Sequence, residues 1–147
     1  NWLKENENYK PDIIIQLRPT YPTRSVKILD ETIKLFIDNY DSYDSLRTVI
    51  PFEKSPYKMY RIIDNKLKPL FRKVDDIEEP YNKCRHELPN TYLHNGYIDI
   101  IKTNTVINKK SMTGKYILPY IMSINEYHDI DNLKDWNLAE KCLINIV

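Results

Sequence analysis

Two aspartates separated by one residue, Asp129 and Asp131, have the types and spacing best suited to catalysis in this sequence. In an extended backbone, residues i and i+2 point to the same side. Their carboxylates would converge on one point, where mutual repulsion favours a hard cation such as Mg²⁺. Magnesium would in turn neutralise the charge that develops on phosphate oxygens during nucleotidyl transfer. The spacing alone fits a second interpretation better, a solvated loop in which Asp131 or Asn132 caps a final helix.

A second candidate site is the segment between Arg18 and Arg24, which also contains two prolines. Residues 12–17 before it include three consecutive isoleucines, a pattern typical of a strand buried on both faces in a parallel sheet. Ligands bind at the carboxyl ends of strands in open α/β sheets, and arginine suits a carboxylate or phosphate through paired hydrogen bonds. A rigid loop with exposed charges fits these residues equally well.

Other polar residues carry little signal by themselves. Lys58 and Arg85 fit a solvated charged surface, and Tyr92 fits packing against a core or hairpin. No histidine has a partner at metal-ligand spacing, so surface or capping positions are expected for all three (His86, His94 and His128).

The elements that must position these residues follow from periodicity and turn signals. Ser25 is the expected N-cap of a helix, because apolar residues recur after it at helical spacing (Val26, Leu29, Ile33, Phe36 and Ile37). Asp64 and Asn65 predict the turn of a hairpin between residues 57–63 and 67–72. The remaining expectations are strands over 45–52, 92–101 and 116–122, a charged loop with one helical turn over 74–89, a partly helical connector over 106–114, and a last helix capped by Asn132 and Asp135.

Length and composition limit the functional classes. The 147 residues suffice for one domain, and 22 basic against 21 acidic residues provide no field that would favour a nucleic acid polymer. No apolar run approaches the roughly 20 residues of a membrane span. Cys84 and Cys142 fit neither a disulfide framework nor a zinc site, which makes the reduced cytoplasm the expected compartment.

The chain has only two glycines, Gly96 and Gly114. Loops that cradle phosphates need glycine because their backbone amides must approach the anion closely. Neither glycine lies in such a loop, so a nucleotide would have to be gripped by a segment outside this sequence.

Taken in order, these segments resemble the acylneuraminate cytidylyltransferases, which activate sialic acids. Asp12-Ile-Ile-Ile-Gln-Leu-Arg-Pro-Thr-Tyr-Pro-Thr-Arg24 is similar to the family's strand and its Leu-Gln-Pro-Thr-Ser-Pro-Leu-Arg loop. Similar matches are Glu53-Lys-Ser-Pro-Tyr-Lys58, Arg85-His-Glu-Leu-Pro89 with Tyr92-Leu-His-Asn-Gly96, and Tyr120-Ile-Met-Ser123 with Asp129-Ile-Asp131 and Ala139-Glu140. No single segment is decisive, but their occurrence together in the family's order is fairly specific.

The resemblance implies an α/β fold with a Rossmann-like mixed sheet flanked by helices, of the nucleotide-diphospho-sugar transferase type. It implies one domain over residues 1–147, in which residues 57–90 carry substrate contacts and a protruding hairpin for homodimerisation. It also implies that CTP and a nonulosonic acid react to give the CMP-sugar and pyrophosphate. The implied roles are catalysis and Mg²⁺ binding for Asp129 and Asp131, and substrate binding for Arg18, Lys58, Arg85, Tyr92, Asn95 and Gly96.

Three departures from the family pattern leave alternatives open. Arg18 stands where better-known members have glutamine, and the aromatic pair that packs the sugar's acyl group is replaced near Ser111-Met-Thr113, so the particular nonulosonic acid stays open. The family's opening loop of the form Ala-Arg-x-Gly-Ser-Lys has no counterpart in this sequence. The chain is therefore expected to be a fragment of a transferase or, alternatively, a non-catalytic module that binds a sugar acid or dimerises.

Overall fold

The structure is a computed structural model that describes residues 2–124 and 129–144. Its elements in chain order are α1 (Trp2–Glu7), β1 (Ile13–Gln16), α2 (Val26–Asp38), β2 (Ser45–Pro51), β3 (Tyr60–Ile63), β4 (Lys66–Pro69), β5 (Lys73–Val74), β6 (Ile77–Glu78), β7 (Tyr92–Lys102), α3 (Thr103–Ile107), β8 (Ile117–Ile121) and α4 (Leu133–Ile144). They fall into two compact units, one built from residues up to 49 and from 94 onward, the other from residues 50–93.

A mixed sheet organises the first unit. Its strand order is β1-β7-β2-β8, in which β1 pairs antiparallel with β7 and β2 pairs parallel with β8. The long strand β7 supplies much of the core, since four of its side chains are almost completely buried (Tyr97, Ile98, Ile100 and Ile101). Strands and helices therefore combine in the α/β class that the sequence predicts, with a mixed sheet.

The expectation that β1 is buried on both faces in parallel surroundings is wrong. Ile13, Ile14 and Ile15 are only half-buried, and their hydrogen-bonded neighbour β7 runs antiparallel to them. The reason is position, because β1 lies at the end of the strand order among the described residues. An apolar run reports hydrophobicity but not whether a strand is central.

Helix α2 forms where its N-cap and apolar stripe predict it. The Ser25 hydroxyl accepts a hydrogen bond from the Ile28 amide at 3.5 Å, and the helix buries Ile28, Thr32 and Phe36. The Ser25 amide also donates to the Tyr97 hydroxyl at 2.5 Å, which fixes the start of the helix beside β7.

A buried carboxylate, that of Asp44, organises the turn before β8. It accepts hydrogen bonds from the Lys109 ammonium at 2.5 Å and from the amides of Lys115 and Tyr116 at 2.8 and 3.2 Å. These donors, chiefly Lys109, lower the pKa of Asp44 to about 2 although its burial opposes the shift. Gly114 is required here, because a Cβ on it would overlap the Asp44 carboxylate.

The second unit contains the expected hairpin, formed by β3 and β4. Asp64 and Asn65 form its two-residue turn, both with positive φ (51° and 58°), which suits the right-handed twist of a tight hairpin. The charged stretch after it is more regular than predicted. It includes a second small antiparallel pair, β5 with β6, and two short 3₁₀ turns.

Candidate functional site

The loop between β1 and α2 is held by the side chain of Arg24. Its guanidinium donates to the carbonyl oxygens of Arg18 at 2.7 Å, Tyr21 at 3.1 Å and Tyr97 at 3.0 Å. Burial lowers the pKa of Arg24, while Tyr97 and Tyr21 partly oppose the shift. An arginine still remains charged at physiological pH. The charged Arg24 guanidinium therefore fixes the backbone of this proline-containing loop.

Arg18 and Gly96, two predicted substrate residues, lie directly against one another. A Cβ built on Gly96 would fall 2.6 Å from both Nε and Nη1 of Arg18, so the glycine makes room for the guanidinium. Gly96 has a φ of +69°, a conformation that glycine adopts without strain. The Arg18 side chain is otherwise exposed, so a cation is available at the surface beside the backbone of β7.

Asn95, also a predicted substrate residue, is buried and uses its side chain inside the protein. Its Oδ1 accepts from the Thr48 hydroxyl at 2.7 Å and from the Tyr97 amide at 3.1 Å, and its Nδ2 contacts the Met122 sulfur at 3.3 Å. Its carbonyl oxygen accepts from the Tyr21 hydroxyl at 2.5 Å. These contacts make Asn95 the residue that fixes the backbone next to Gly96.

The two candidate metal ligands lie beside the Arg18–Arg24 loop. The Ile130 amide, between them in sequence, donates to the Thr20 carbonyl at 3.1 Å. Asp129 is partly buried, and its Oδ1 is buried with no hydrogen-bond partner in the described part of the chain. Asp131 is exposed. An unpaired buried carboxylate oxygen is costly unless a ligand completes its coordination.

The same segment also contains the helix cap of the alternative interpretation, and Asn132, one of the two residues named for it, forms that cap together with Asp135. Asn132 Oδ1 accepts from the amides of Lys134 and Asp135 at 2.9 and 3.3 Å, and Asp135 Oδ2 accepts from the amides of Asn132 and Asp131. The predicted pair of caps, Asn132 and Asp135, is thereby confirmed. Because these two residues cap α4, the carboxylates of Asp129 and Asp131 are not used for it.

The donor set suits a hard cation held with few protein ligands. Among the described residues, no group of three or more His, Cys, Asp or Glu side chains is arranged to hold a metal ion. Mg²⁺ commonly uses one or two carboxylates and completes its octahedron with water and substrate phosphates. Asp129, with its unpaired oxygen, and the exposed Asp131 fit that requirement.

In the second unit, Arg85 and Tyr92 line one cavity of about 500 Å³. Its wall also includes Glu53, Ser55 and Thr91, so it combines a cation, a carboxylate and hydroxyl groups. The Ser55 Oγ is buried without a hydrogen-bond partner in the described part of the chain. Lys58 is not part of this wall; its Nζ donates to the Tyr81 carbonyl at 3.3 Å, and its side chain is exposed.

Sequence reasoning missed a charged cluster on the sheet. His94 Nε2 lies 2.8 Å from Asp99 Oδ1, and Arg47 Nε lies 3.6 Å from the same oxygen, with the Asp99 side chain only 5% exposed. Residues five apart point to opposite faces of a regular strand, so the pair was not expected. Gly96, which lies between them with positive φ, interrupts the alternation. A glycine inside a predicted strand is the sequence signal that could have revealed it. His86 is exposed, as predicted, and His128 lies outside the described residues.

Two further observations concern the setting of the protein. In the described part of the chain, no helix is long and apolar enough to cross a membrane. Both cysteines are free thiols.

In sequence, the chain is similar to the N-acylneuraminate cytidylyltransferase of Escherichia coli O18:K1:H7 (strain RS218 / NMEC), with 26% identity over an alignment of 159 positions. The resemblance to this family of transferases is confirmed. The match covers 90% of this chain but 37% of the relative, so the chain spans little more than a third of the length of the curated protein that it matches. No protein-family model matches the chain. A distant relationship to the cytidylyltransferases follows, over nearly all of this chain.

Proposed function

We propose that this chain carries the part of a cytidylyltransferase that binds a nonulosonic acid and Mg²⁺. The observation that carries the proposal is the unpaired, buried Oδ1 of Asp129 beside the Arg18–Arg24 loop. The similarity to an N-acylneuraminate cytidylyltransferase supports the class of reaction. The free cysteines suit a reducing cytoplasm as its compartment.

In the proposed reaction, the anomeric hydroxyl oxygen of the sugar acid bonds to the α-phosphorus of CTP. The bond from that phosphorus to the bridging oxygen of the β-phosphate breaks, pyrophosphate leaves and the hydroxyl proton is released. Mg²⁺ held by Asp129 and Asp131 would neutralise the charge on the phosphate oxygens. The protein's own contribution is to orient the sugar acid and to place cations near its carboxylate.

Each unit offers one arginine of its own as a candidate ligand of that carboxylate. Arg85, in its cavity with Tyr92, has the geometry of a planar fork that can bind a carboxylate through two hydrogen bonds. Arg18 offers a second exposed guanidinium beside Gly96. Asn95 fixes the backbone next to Gly96 and so supports the position of Arg18. Lys58 is proposed to contact substrate from the 3₁₀ turn Pro56–Lys58.

We also propose that the β3–β4 hairpin mediates homodimerisation. Ile62 and Leu67 face each other directly across its two strands, yet they are 75% and 64% exposed. Adjacent apolar side chains at the tip of a hairpin are best explained by a partner surface that covers them. A second copy of this chain is the partner that the family resemblance favours.

An activity assay of the protein encoded by the whole reading frame that contains this chain tests the transferase proposal. We expect CMP-sugar and pyrophosphate from CTP, Mg²⁺ and a nonulosonic acid, and a loss of about 100-fold or more in kcat/KM for Asp129→Asn. The matched control is Asp41→Asn, since Asp41 is an exposed aspartate remote in sequence from the candidate site. Full activity of Asp129→Asn would contradict the assigned role.

A non-catalytic sugar-acid-binding or dimerisation module is the second candidate. One observation favours it: each of the two glycines packs against a side chain, Gly96 against Arg18 and Gly114 against Asp44, rather than cradling an anion. Calorimetric titration of this chain with CTP and, separately, with N-acetylneuraminate distinguishes the two candidates. Binding of the sugar acid together with no product from the reading frame would identify the module.

A further inference from the structure

Arg24, Tyr21 and Tyr97, here called the clasp, join the candidate loop to strand β7. The three guanidinium nitrogens of Arg24 each donate to a different carbonyl, at the start of the loop (Arg18), within it (Tyr21) and on the strand (Tyr97). One planar side chain therefore sets the spacing of three backbone points.

The two tyrosine rings fix that guanidinium in turn. The Arg24 Cζ lies 5.6 Å from the centre of the Tyr21 ring and 5.5 Å from that of Tyr97, and the two buried rings meet edge to face at 5.2 Å. The Tyr21 hydroxyl donates to the Asn95 carbonyl at 2.5 Å, which ties the loop to β7 a second time. Lysine cannot reproduce such a set, because its ammonium is a point charge without a planar fork.

The clasp holds the backbone segments that carry the candidate site residues. The Arg18 carbonyl is one of its acceptors, while the Arg18 side chain lies on Gly96, the residue between two clasped positions of β7. Thr20, inside the clasped loop, accepts the hydrogen bond of Ile130 between the two aspartates. A shift of the loop would therefore displace Arg18 and the Asp129–Asp131 segment together.

The clasp also contributes a positive charge, that of the Arg24 guanidinium. All the hydrogen-bond acceptors of Arg24 are neutral carbonyls, and in the described part of the chain no carboxylate lies within salt-bridge distance of it. An uncompensated, partly buried cation is expensive for stability alone. It favours an anionic ligand nearby, as a sugar acid or a phosphate would be.

We propose that Arg24 is a positioning residue that acts through Arg18, by holding the Arg18 guanidinium over Gly96 in the orientation that binds an anionic sugar acid. This inference rests on the proposed function for the identity of the ligand. Its structural half, the coupling of Arg24 to Arg18 and through Arg18 to Gly96, rests on the hydrogen bonds of Arg24 and on the close approach of the Arg18 side chain to Gly96.

A double-mutant cycle tests the proposal, with N-acetylneuraminate titrated by calorimetry into the wild-type chain, Arg18→Ala, Arg24→Lys and the double variant. Each single substitution is expected to weaken binding by about tenfold or more. The double variant should bind within about twofold of Arg18→Ala, since Arg24 acts through Arg18. Additive losses, or unchanged binding by Arg24→Lys, would overturn the proposal.

Tyr21→Phe replaces Arg24→Lys in the cycle if the latter does not fold, because it removes only the hydroxyl that bonds to Asn95. Its matched control is Tyr116→Phe, since Tyr116 is 55% exposed and lies immediately before β8. Tyr116→Phe is expected to bind as the wild-type chain does.

Amide hydrogen exchange separates failure of the clasp from failure of the proposed function. If the wild-type chain binds no sugar acid, the proposed function is rejected, and the clasp is judged by exchange alone. Arg24→Lys should then accelerate exchange at Tyr21 and Tyr97, whose amides bond to the Arg18 carbonyl and to Asn95 Oδ1. The amides of Lys115 and Tyr116, bound to Asp44, should be unaffected. Unchanged exchange at Tyr21 and Tyr97 would overturn the clasp.

Discussion

At the scale of single residues, the most informative atom is Oδ1 of Asp129. It is buried and unpaired in the described part of the chain, while the neighbouring Asp135 and Asn132 satisfy the amides at the start of α4. The sequence alone could not distinguish helix capping from metal binding, because aspartates at these positions suit either role. The structure distinguishes them by the hydrogen-bond partners of each side chain. The capping residues have their partners, and Asp129 still requires one.

The two glycines provide a paired prediction. Gly96→Ala should lower the free energy of unfolding by about 1–2 kcal/mol because an L side chain is strained at its φ of +69°, and it should also weaken sugar-acid binding by displacing Arg18. Gly114→Ala, with the same φ, overlaps Asp44 instead. It should lose stability but keep the affinity of the chain that remains folded. Urea denaturation and calorimetry measure both quantities, and equal effects of the two variants on binding would contradict the assignment.

Asp44 gives a prediction about stability and pH. Because hydrogen bonds from Lys109 and the Lys115 amide lower its pKa from 3.8 to about 2, the folded state holds this proton less tightly than the unfolded state. The carboxylate therefore stabilises the fold fully above about pH 4, and this contribution is lost as the pH falls towards 2. Asp44→Asn should lower the free energy of unfolding near neutral pH by about 2 kcal/mol.

Urea denaturation of the wild-type chain and Asp44→Asn between pH 2 and 7 measures this contribution. The difference between the two proteins should be constant above about pH 4 and should shrink towards pH 2. Lys109→Met is a second variant, since it removes the strongest donor and should raise the pKa of Asp44. A difference that grows on acidification would contradict the account.

At the scale of elements, the sequence correctly predicted the helix caps and the hairpin turn, which depend on neighbouring residues. The N-cap Ser25, the turn at Asp64 and Asn65, and the caps Asn132 and Asp135 were all readable because each depends on a few adjacent residues. Strand neighbours could not be predicted, since the place of β1 in the sheet and its antiparallel pairing with β7 depend on residues far apart in sequence, such as Ile13 and Lys102. The contact between His94 and Asp99 was missed for a related reason, because the irregular backbone at Gly96 overrides the alternation of a strand.

The hairpin makes the dimer proposal testable. Ile62→Lys or Leu67→Lys places a charge in the exposed apolar pair and should weaken a homodimer by about tenfold or more without loss of secondary structure. Lys66→Gln on the same hairpin is the control. Sedimentation equilibrium measures the dissociation constant, and a dimer that tolerates both lysine substitutions would exclude this hairpin from the interface.

At the scale of the whole molecule, the candidate residues divide between the two units. Arg18, Asn95, Gly96 and the two aspartates belong to the unit built on the mixed sheet, whereas Lys58, Arg85 and Tyr92 belong to the unit of residues 50–93. The ordered resemblance predicted these candidate residues, and the similarity over 90% of the chain supports the resemblance itself. The resemblance implied one domain in which residues 57–90, with Lys58 and Arg85, carry substrate contacts.

Recognition of a sugar carboxylate is the central claim, and one pair of titrations tests it most directly. The methyl ester of N-acetylneuraminate carries one added methyl group and lacks the negative charge of the carboxylate, so calorimetry with the acid and with the ester, each in the presence of Mg²⁺, measures the contribution of the ionised carboxylate. The account predicts that this chain binds the acid and binds the ester about tenfold more weakly or worse, because the arginine that binds the carboxylate, Arg85 in its cavity or Arg18 beside Gly96, loses its ionised partner. Equal affinity for acid and ester, or no binding of the acid or of any other nonulosonic acid, would contradict it.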